Sequence, residues 1–88
     1  MLISKKKTIY HIYGITFKNN RINETFGLGD FATYEEGYKE FKRLSTMHFE
    51  DFPIHDTNVP ELELGYEVYG HGFVDFLCRS WIKNPNFN

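Results

Sequence analysis

The side chains best suited to chemistry are concentrated in one short segment, residues 48–56, which reads HFEDFPIHD. Imidazole and carboxylate groups are ligands that zinc and similar cations take from proteins. The weak metal candidates in this segment are His48, Glu50, His55 and Asp56. Their spacing lacks the two histidines, four residues apart on a helix, that many zinc hydrolases use. The segment therefore predicts no metal site, and a metal-dependent hydrolase is kept only as an alternative function.

The other reactive residues are isolated from one another along the chain. Cys78 is the only cysteine, which rules out an intramolecular disulfide and a cysteine-based zinc site. We expect Cys78 to be an inert core residue, His11 a hydrogen-bonded core histidine, and His71 an exposed turn residue. Residues 27–30, GLGD, indicate a turn into a helix, because a phosphate loop needs further glycines or a lysine. We predict a protein with no enzymatic activity and no cofactor.

The composition predicts a small globular domain with many aromatic side chains. Its 88 residues suffice for a single domain, residues 1–88, and 18% of them are aromatic. A net charge of -2 and a pI near 6.0 disfavour an electrostatic nucleic-acid binder. The sequence has no signal-like or membrane-spanning apolar run, so we expect a cytoplasmic protein without membrane contact. A single alanine among many Asn, Lys, Ile, Phe and Tyr residues is typical of AT-rich phage or mobile-element genes.

One segment, residues 34–48, has clear helical periodicity. Thr33 and Glu36 form a T-x-x-E capping box at its start. The side chains predicted to face the core are Tyr34, Tyr38, Phe41 and Leu44. Gly37 costs about 1 kcal/mol relative to alanine in a helix, which suggests close packing on a sheet at that position. The flanking segments are predicted to be a flexible basic lead-in, a long connecting loop and a tail, over residues 1–7, 49–60 and 84–88.

Residues 8–26 predict a first β-hairpin. The pair Asn19-Asn20 suits a two-residue turn in which both residues have positive φ. This turn predicts the cross-strand pairs Lys18–Arg21, Phe17–Ile22, Ile15–Glu24 and Tyr13–Phe26. The predicted apolar face then contains Ile9, His11, Tyr13, Ile15, Phe17, Ile22 and Phe26, with Glu24 as a misfit. We expect that face to meet the helix, and Tyr10 and Ile12 to point away from it.

Residues 61–69 alternate between apolar and mainly acidic side chains, which predicts a half-buried strand. The next segment, residues 73–83, suits either a strand or a helix. Residues 70–72, Gly-His-Gly, favour a strand, because a three-residue loop with Gly72 at positive φ closes a hairpin. The predicted core-facing pairs are Val68–Val74, Tyr66–Phe76 and Leu64–Cys78.

The predicted fold is α+β with the order ββαββ, a four-stranded antiparallel sheet of two hairpins with one helix on one face. The alternative is ββαβα, with a helix over residues 73–83. In the preferred fold the other face of the sheet is open. The predicted partner-binding residues on that face are Trp81, Leu77, Phe73, Tyr69, Tyr10 and Arg79. Exposed groups of Trp, Tyr and Arg are where binding energy concentrates.

These residues lead us to expect a small non-enzymatic protein-binding module. It would act as an inhibitor or accessory factor on a larger protein, or form a homodimer. One alternative is a single-stranded nucleic-acid binder that stacks bases on the sheet aromatics, although the acidic residues of 61–67 disfavour it. The other alternative is the metal-dependent hydrolase of residues 48–56.

Overall fold

The computed structural model describes residues 7–70 and 72–87. The elements are β1 (Ile9–Lys18), β2 (Arg21–Phe31), helix α1 (Tyr34–Leu44), a 3₁₀ turn (Phe49–Asp51), β3 (Glu61–Gly70) and β4 (Phe73–Lys83). This order confirms the predicted ββαββ fold, and the alternative with a helix over residues 73–83 is wrong. The predicted lead-in, apart from its last residue, lies outside the described residues, as do His71 and Asn88.

All four strands form one antiparallel sheet with the order β2-β1-β3-β4. The two hairpins are therefore neighbours, joined through β1 and β3 at the centre. Helix α1 packs on one face of the sheet, against β1, β2 and β3. The fully buried core side chains include Ile12, Leu62, Leu64 and Tyr66. No helix in the described part of the chain has the length and apolar character needed to cross a membrane.

The turn of the first hairpin is confirmed. Asn19 and Asn20 have φ angles of 55° and 64°, as a two-residue turn of this kind requires. The two pairs nearest the turn, Lys18–Arg21 and Phe17–Ile22, are also as predicted.

Beyond those pairs the predicted register is wrong, because Asn23 is a β-bulge. Thr16 lies opposite Glu24, and the register places Thr25 and Gly27 opposite Ile15 and Tyr13. A bulge sets two residues of one strand against one of the other and so changes which face the later side chains occupy. Glu24 consequently leaves the apolar face on which it was a misfit.

Helix α1 covers the face of β1 that the sequence interpretation assigned to the outside. Ile12 and Thr16 are fully buried, and the Tyr10 ring lies against Tyr34 and Tyr66. The alternation of apolar and polar side chains does not show which face of β1 meets the helix, because this central strand is apolar on both faces. Pairing with β3 decides it, since Ile12 lies opposite Tyr66 and directly opposed residues share a face. The predicted inward direction of His11, Tyr13, Ile15 and Phe17 is wrong.

Strand β2 is longer than predicted. Residues 27–30 belong to the strand, which ends at Phe31, so the predicted turn at GLGD is wrong. Leu28 forms a second bulge, because Tyr13 pairs with Gly27 and Ile12 with Gly29. Leu28 packs against the core from this position.

Helix α1 begins as predicted and ends earlier, at Leu44 instead of His48. The Thr33 hydroxyl accepts the Glu36 N–H at 3.3 Å and donates to the Glu36 carboxylate at 2.9 Å. Phe41 and Leu44 are buried as predicted. The other two residues predicted to face the core, Tyr34 and Tyr38, remain 41% and 38% exposed, although the Tyr34 ring lies against Tyr10 and Tyr66.

The connection from α1 to β3 is held to the sheet by side-chain hydrogen bonds. The Glu24 carboxylate accepts the backbone N–H groups of His55 and Asp56 at 3.0 and 2.8 Å. These hydrogen bonds lower the pKa of Glu24, and the bond from the Asp56 N–H has the largest effect. From the other side, buried Asn84 donates to the carbonyls of Thr57 and Val59, both at 2.8 Å. Hydrogen bonds to Glu24 and from Asn84 therefore hold the connection against the rest of the fold.

The second hairpin has a tighter loop than predicted. Gly70 pairs directly with Phe73, so the three-residue loop is wrong, although Gly72 has the predicted positive φ, at 79°. Tyr69 therefore lies opposite Val74, and Leu77 forms a bulge opposite the stretch between Tyr66 and Glu67. The predicted pairs Val68–Val74, Tyr66–Phe76 and Leu64–Cys78 are wrong. The shorter loop moves Val74 and Phe76 to the other face of the sheet, whereas Cys78, beyond the bulge, lies on the core side as predicted.

Candidate functional site

The face of the sheet opposite α1, which we call the open face, carries exposed aromatic and aliphatic side chains. Helix α1 is the only α-helix of residues 7–70 and 72–87, and it lies on the other face. Strand pairing places on the open face His11, Tyr13, Ile15 and Phe17 of β1, Glu61, Glu63, Glu67 and Tyr69 of β3, and Val74, Phe76, Arg79, Trp81 and Lys83 of β4. Large exposed apolar groups of this kind typically mark interaction surfaces.

Three of the six predicted partner-binding residues lie on the open face. Trp81 lies opposite Glu63 on β3 and is 44% exposed. Tyr69 lies opposite Val74, and Arg79 projects from β4 two residues before Trp81. Val74 and Phe76 join them, contrary to the prediction that both face the core.

The other three predicted residues lie on the helix side of the sheet. Tyr10 packs against aromatic rings of the core layer. Leu77 is part of the bulge in β4 and packs against the core cluster. Phe73 is exposed at the end of the hairpin, but its pairing with Gly70 turns it away from the open face. These three placements are corrections that follow from the registers described above.

Ion pairs between β3 and β4 cross the open face. Arg79 Nε lies 3.0 Å from the Glu63 carboxylate, and the guanidinium carbon lies 4.7 Å from the centre of the Phe76 ring. Lys83 Nζ lies 2.5 Å from the Glu61 carboxylate. Each of these two cations thus has a carboxylate partner within the chain.

A shallow depression of about 490 Å³ lies where β1, β2 and β3 meet on the open face. Its lining includes His11, Tyr13, Thr25, Glu67 and Tyr69. The His11 ring stacks beside that of Tyr13, with 6.3 Å between centroids and 23° between planes. It also lies 5.8 Å from the Tyr69 ring. We call this feature the aromatic depression.

The Tyr13 ring of the aromatic depression packs against a glycine of the neighbouring strand. The Tyr13 ring lies over Gly65, to which Tyr13 is paired. A Cβ atom on Gly65 would lie 2.6 Å from Tyr13 Cε1 and closer still to Cζ. A side chain at residue 65 would therefore displace the Tyr13 ring, and glycine gives the ring room to lie against the backbone of β3.

Carboxylates surround the rings. Asp30 lies 2.5 Å from His11 Nδ1, and the Tyr69 hydroxyl donates to Glu67. That hydrogen bond, followed by burial, raises the pKa of Tyr69 to about 12. Burial, followed by the Glu63 and Glu67 carboxylates, raises the pKa of Tyr13. Both phenols are therefore neutral near pH 7, and the Glu67 carboxylate acts on both of them.

The Asp30–His11 pair has the form of a carboxylate that orients a histidine base. Catalysis would also require a nucleophile within hydrogen-bond reach of the other ring nitrogen. Thr25 lines the same depression, and within the described residues no hydrogen bond joins its hydroxyl to His11.

The weak metal candidates do not form one cluster. His55 Nδ1 lies 3.0 Å from the Glu24 carboxylate, and Asp56 forms an ion pair with Lys18 at 2.9 Å. His48 and Glu50 are exposed at the 3₁₀ turn. Across residues 7–70 and 72–87, no group of three or more His, Cys, Asp or Glu side chains is placed to hold a metal ion.

Comparisons of the chain with protein-family models, with curated proteins and with solved structures give no match.

Sequence reasoning missed His11, Tyr13, Asp30 and Glu67 as members of a site. His11 and Tyr13 were assigned to the core because the first hairpin was given the wrong face. Asp30 was placed in a turn. The sequence of β3 contains a signal that could have found them. Its glutamates at alternate positions mark the solvent-facing side of the strand, and the residues of β1 paired with that side lie on the same face of the sheet.

Proposed function

We propose that this protein is a non-enzymatic protein-binding module and that the open face is its docking surface. The observation that carries the proposal is the uncovered sheet face, on which Val74, Phe76 and Trp81 are exposed together. Burial of such side chains contributes about 25 cal/mol per Å² of apolar area. Trp and Tyr are also the residue types that dominate binding hot spots.

The area of the face sets the strength of binding that we expect. With a strand rise of about 3.3 Å and a strand spacing of about 4.8 Å, four ten-residue strands cover roughly 600 Å². A standard interface buries about 800 Å² on each partner. The open face alone therefore supports an interface at the small end of the specific range, and we expect reversible association.

The test begins with self-association, because a second copy is one of the two kinds of partner. Sedimentation equilibrium over a wide concentration range would compare the native chain with Trp81→Ala and Val74→Asp. Both side chains are exposed, so we expect these substitutions to leave the fold intact. The matched control is Tyr38→Ser, which changes an exposed aromatic residue on the helix side.

If the native chain dimerises, both open-face variants should weaken the dimer and the control should not. If the native chain is monomeric, it is used to capture the larger protein that it inhibits or assists. The amount captured by each of the two variants is then compared with the amount captured by the native chain. An alanine-poor composition favours a phage or mobile-element gene, whose host would supply that protein. Association that Trp81→Ala and Val74→Asp leave unchanged would contradict the proposal.

Single-stranded nucleic acid is the alternative partner for the open face, and a fluorescence measurement distinguishes it from a protein. The exposed aromatics favour it, since bases stack on such rings. The carboxylates of β3 oppose it, and the neighbouring Arg79 and Lys83 are already paired with Glu63 and Glu61. Quenching of Trp81 fluorescence by an oligonucleotide, and loss of the quenching with added salt, would favour nucleic acid over protein.

A further inference from the structure

The aromatic depression combines flat ring surfaces with carboxylates that lack a lysine or arginine partner. Among the described residues, Glu67 takes part in no ion pair and accepts the Tyr69 hydroxyl. Among the same residues, the ion pair formed by Asp30, whose side chain is 68% exposed, is with the imidazole of His11. This separates the depression from the β4 side of the open face, where each carboxylate has its own cation.

Three aromatic rings lie close together in the depression. The Tyr13 ring lies over Gly65, and the His11 ring stacks beside it with 23° between the two planes. The Tyr69 ring borders them at 54° to His11. The face of an aromatic ring carries partial negative charge and attracts cations that lie within about 6 Å of its centre. Rings and carboxylates therefore select the same sign of charge.

We propose that the aromatic depression is a binding site for the guanidinium group of an arginine side chain on the docked partner. The proposal rests on the proposed function, because it names the partner chemistry that part of the open face recognises. The guanidinium stacks on Tyr13 and His11, and its N–H groups donate to the Glu67 carboxylate, one oxygen of which also accepts the Tyr69 hydroxyl. A depression of about 490 Å³ has room for one such side chain.

Arginine suits this site better than lysine. The depression is shallow and open to water, so a bound cation keeps part of its hydration. A guanidinium is planar, stacks on aromatic rings and is weakly hydrated, whereas an ammonium is compact and strongly hydrated. The loss of water on binding therefore opposes lysine more than arginine.

The experiment uses small probes, so that it needs no known partner. N-acetyl-arginine methylamide is titrated into the native chain and the ring proton signals of His11, Tyr13 and Tyr69 are followed by NMR. The citrulline derivative, which has the same shape and no charge, is the first control. The lysine derivative is the second. We expect saturable shifts with arginine, weaker binding of lysine, and no saturable shift with citrulline.

Matched variants separate local contact from long-range charge. Glu67→Gln should weaken arginine binding about two- to fivefold, the range expected for one exposed ion pair. Glu61→Gln removes the same charge from the same face of the same strand, outside the depression, and should have a smaller effect. Tyr13→Leu keeps an apolar side chain, removes a ring face and should weaken binding by a similar two- to fivefold factor, about the contribution of one exposed cation–π contact.

Three results would overturn the proposal. Equal shifts with arginine and citrulline would show that charge is not recognised. Equal losses in Glu67→Gln and Glu61→Gln would show that only net charge matters. Lysine binding as tight as arginine would remove the guanidinium assignment. None of these depends on Trp81 or Val74, so failure here leaves the proposed docking face to be judged by its own variants.

Discussion

Replacing Gly37 by alanine should reverse the usual effect of this substitution in a helix. In an ordinary helix interior, alanine is more favourable than glycine by about 1 kcal/mol. Here the added Cβ would lie 2.6 Å from Tyr66 Cζ and closer still to the hydroxyl oxygen. Tyr66 is fully buried, and its hydroxyl donates to the Tyr34 carbonyl at 2.7 Å. The ring cannot move aside without breaking that bond and disturbing the core.

The expected size of the effect follows from three contributions. Forcing an extra carbon into a packed core costs about 1–3 kcal/mol. Loss of the hydrogen bond from Tyr66 to Tyr34 adds about 0.5–1.5 kcal/mol. The gain in helix propensity offsets about 1 kcal/mol. We therefore expect Gly37→Ala to lower the free energy of unfolding by about 0.5–3.5 kcal/mol, a decrease of roughly 2–28 °C in Tm for a domain of this size.

Urea unfolding followed by far-ultraviolet circular dichroism would measure this change. Lys39→Ala, at an exposed position of the same helix, controls for propensity and should be nearly neutral. In a Tyr66→Leu background the obstructing ring is absent, so Gly37→Ala should cost little, and the double-mutant cycle should give a coupling of about 0.5–3 kcal/mol. A Gly37→Ala protein as stable as the native chain would refute the reasoning.

The remaining predictions concern the two groups that hold the connection between α1 and β3. Glu24→Gln should lower the free energy of unfolding by about 1–2 kcal/mol near pH 7, because the amide lacks the charge that strengthens these hydrogen bonds and lacks the second oxygen that lies beside His55 Nδ1. Since the pKa of Glu24 is lower in the folded protein, its contribution is fully present above the unfolded pKa of about 4.3 and is lost as the pH falls through the folded pKa. As the pH is lowered, the free energy of unfolding should therefore fall less steeply in Glu24→Gln than in the native chain, whereas Glu50→Gln should follow the native chain. Identical pH profiles of the free energy of unfolding for all three proteins would contradict this prediction. Asn84→Ala should cost about 1–3 kcal/mol in urea unfolding, because it leaves the carbonyls of Thr57 and Val59 without their donor, and an unchanged midpoint would remove the proposed anchor.

Local signals in the sequence sufficed for most of the elements. The Asn19-Asn20 turn and the Thr33 cap act over two to four residues, so their chemistry is visible without any knowledge of the rest of the fold. Gly37 was also interpreted correctly as a close contact with the sheet, which Tyr66 makes. The strand over residues 73–83 followed from the turn that precedes it.

The registers were less accessible, because bulges depend on contacts across the sheet. Asn23, Leu28 and Leu77 carry no sequence signal that distinguishes them from ordinary strand residues, and each shifts the pairing by one position. A shift of one position moves every later side chain to the other face. The bulge at Asn23 therefore changed the faces assigned to β2, and the shorter loop of the second hairpin changed the faces assigned to Phe73, Val74 and Phe76 in β4, although the strands themselves were predicted.

By itself, the sequence determined the elements, their order, and the presence of a sheet with one face free of the helix. These depend on periodicity, capping and turn residues, which are properties of neighbouring residues. Only the tertiary structure decided which face is free and which residues share it. β1 is apolar on both faces, and its orientation is set by pairing with Leu62, Leu64 and Tyr66 more than forty residues away. That pairing turned Tyr10 inward and brought His11, Tyr13 and Glu67 together on the open face.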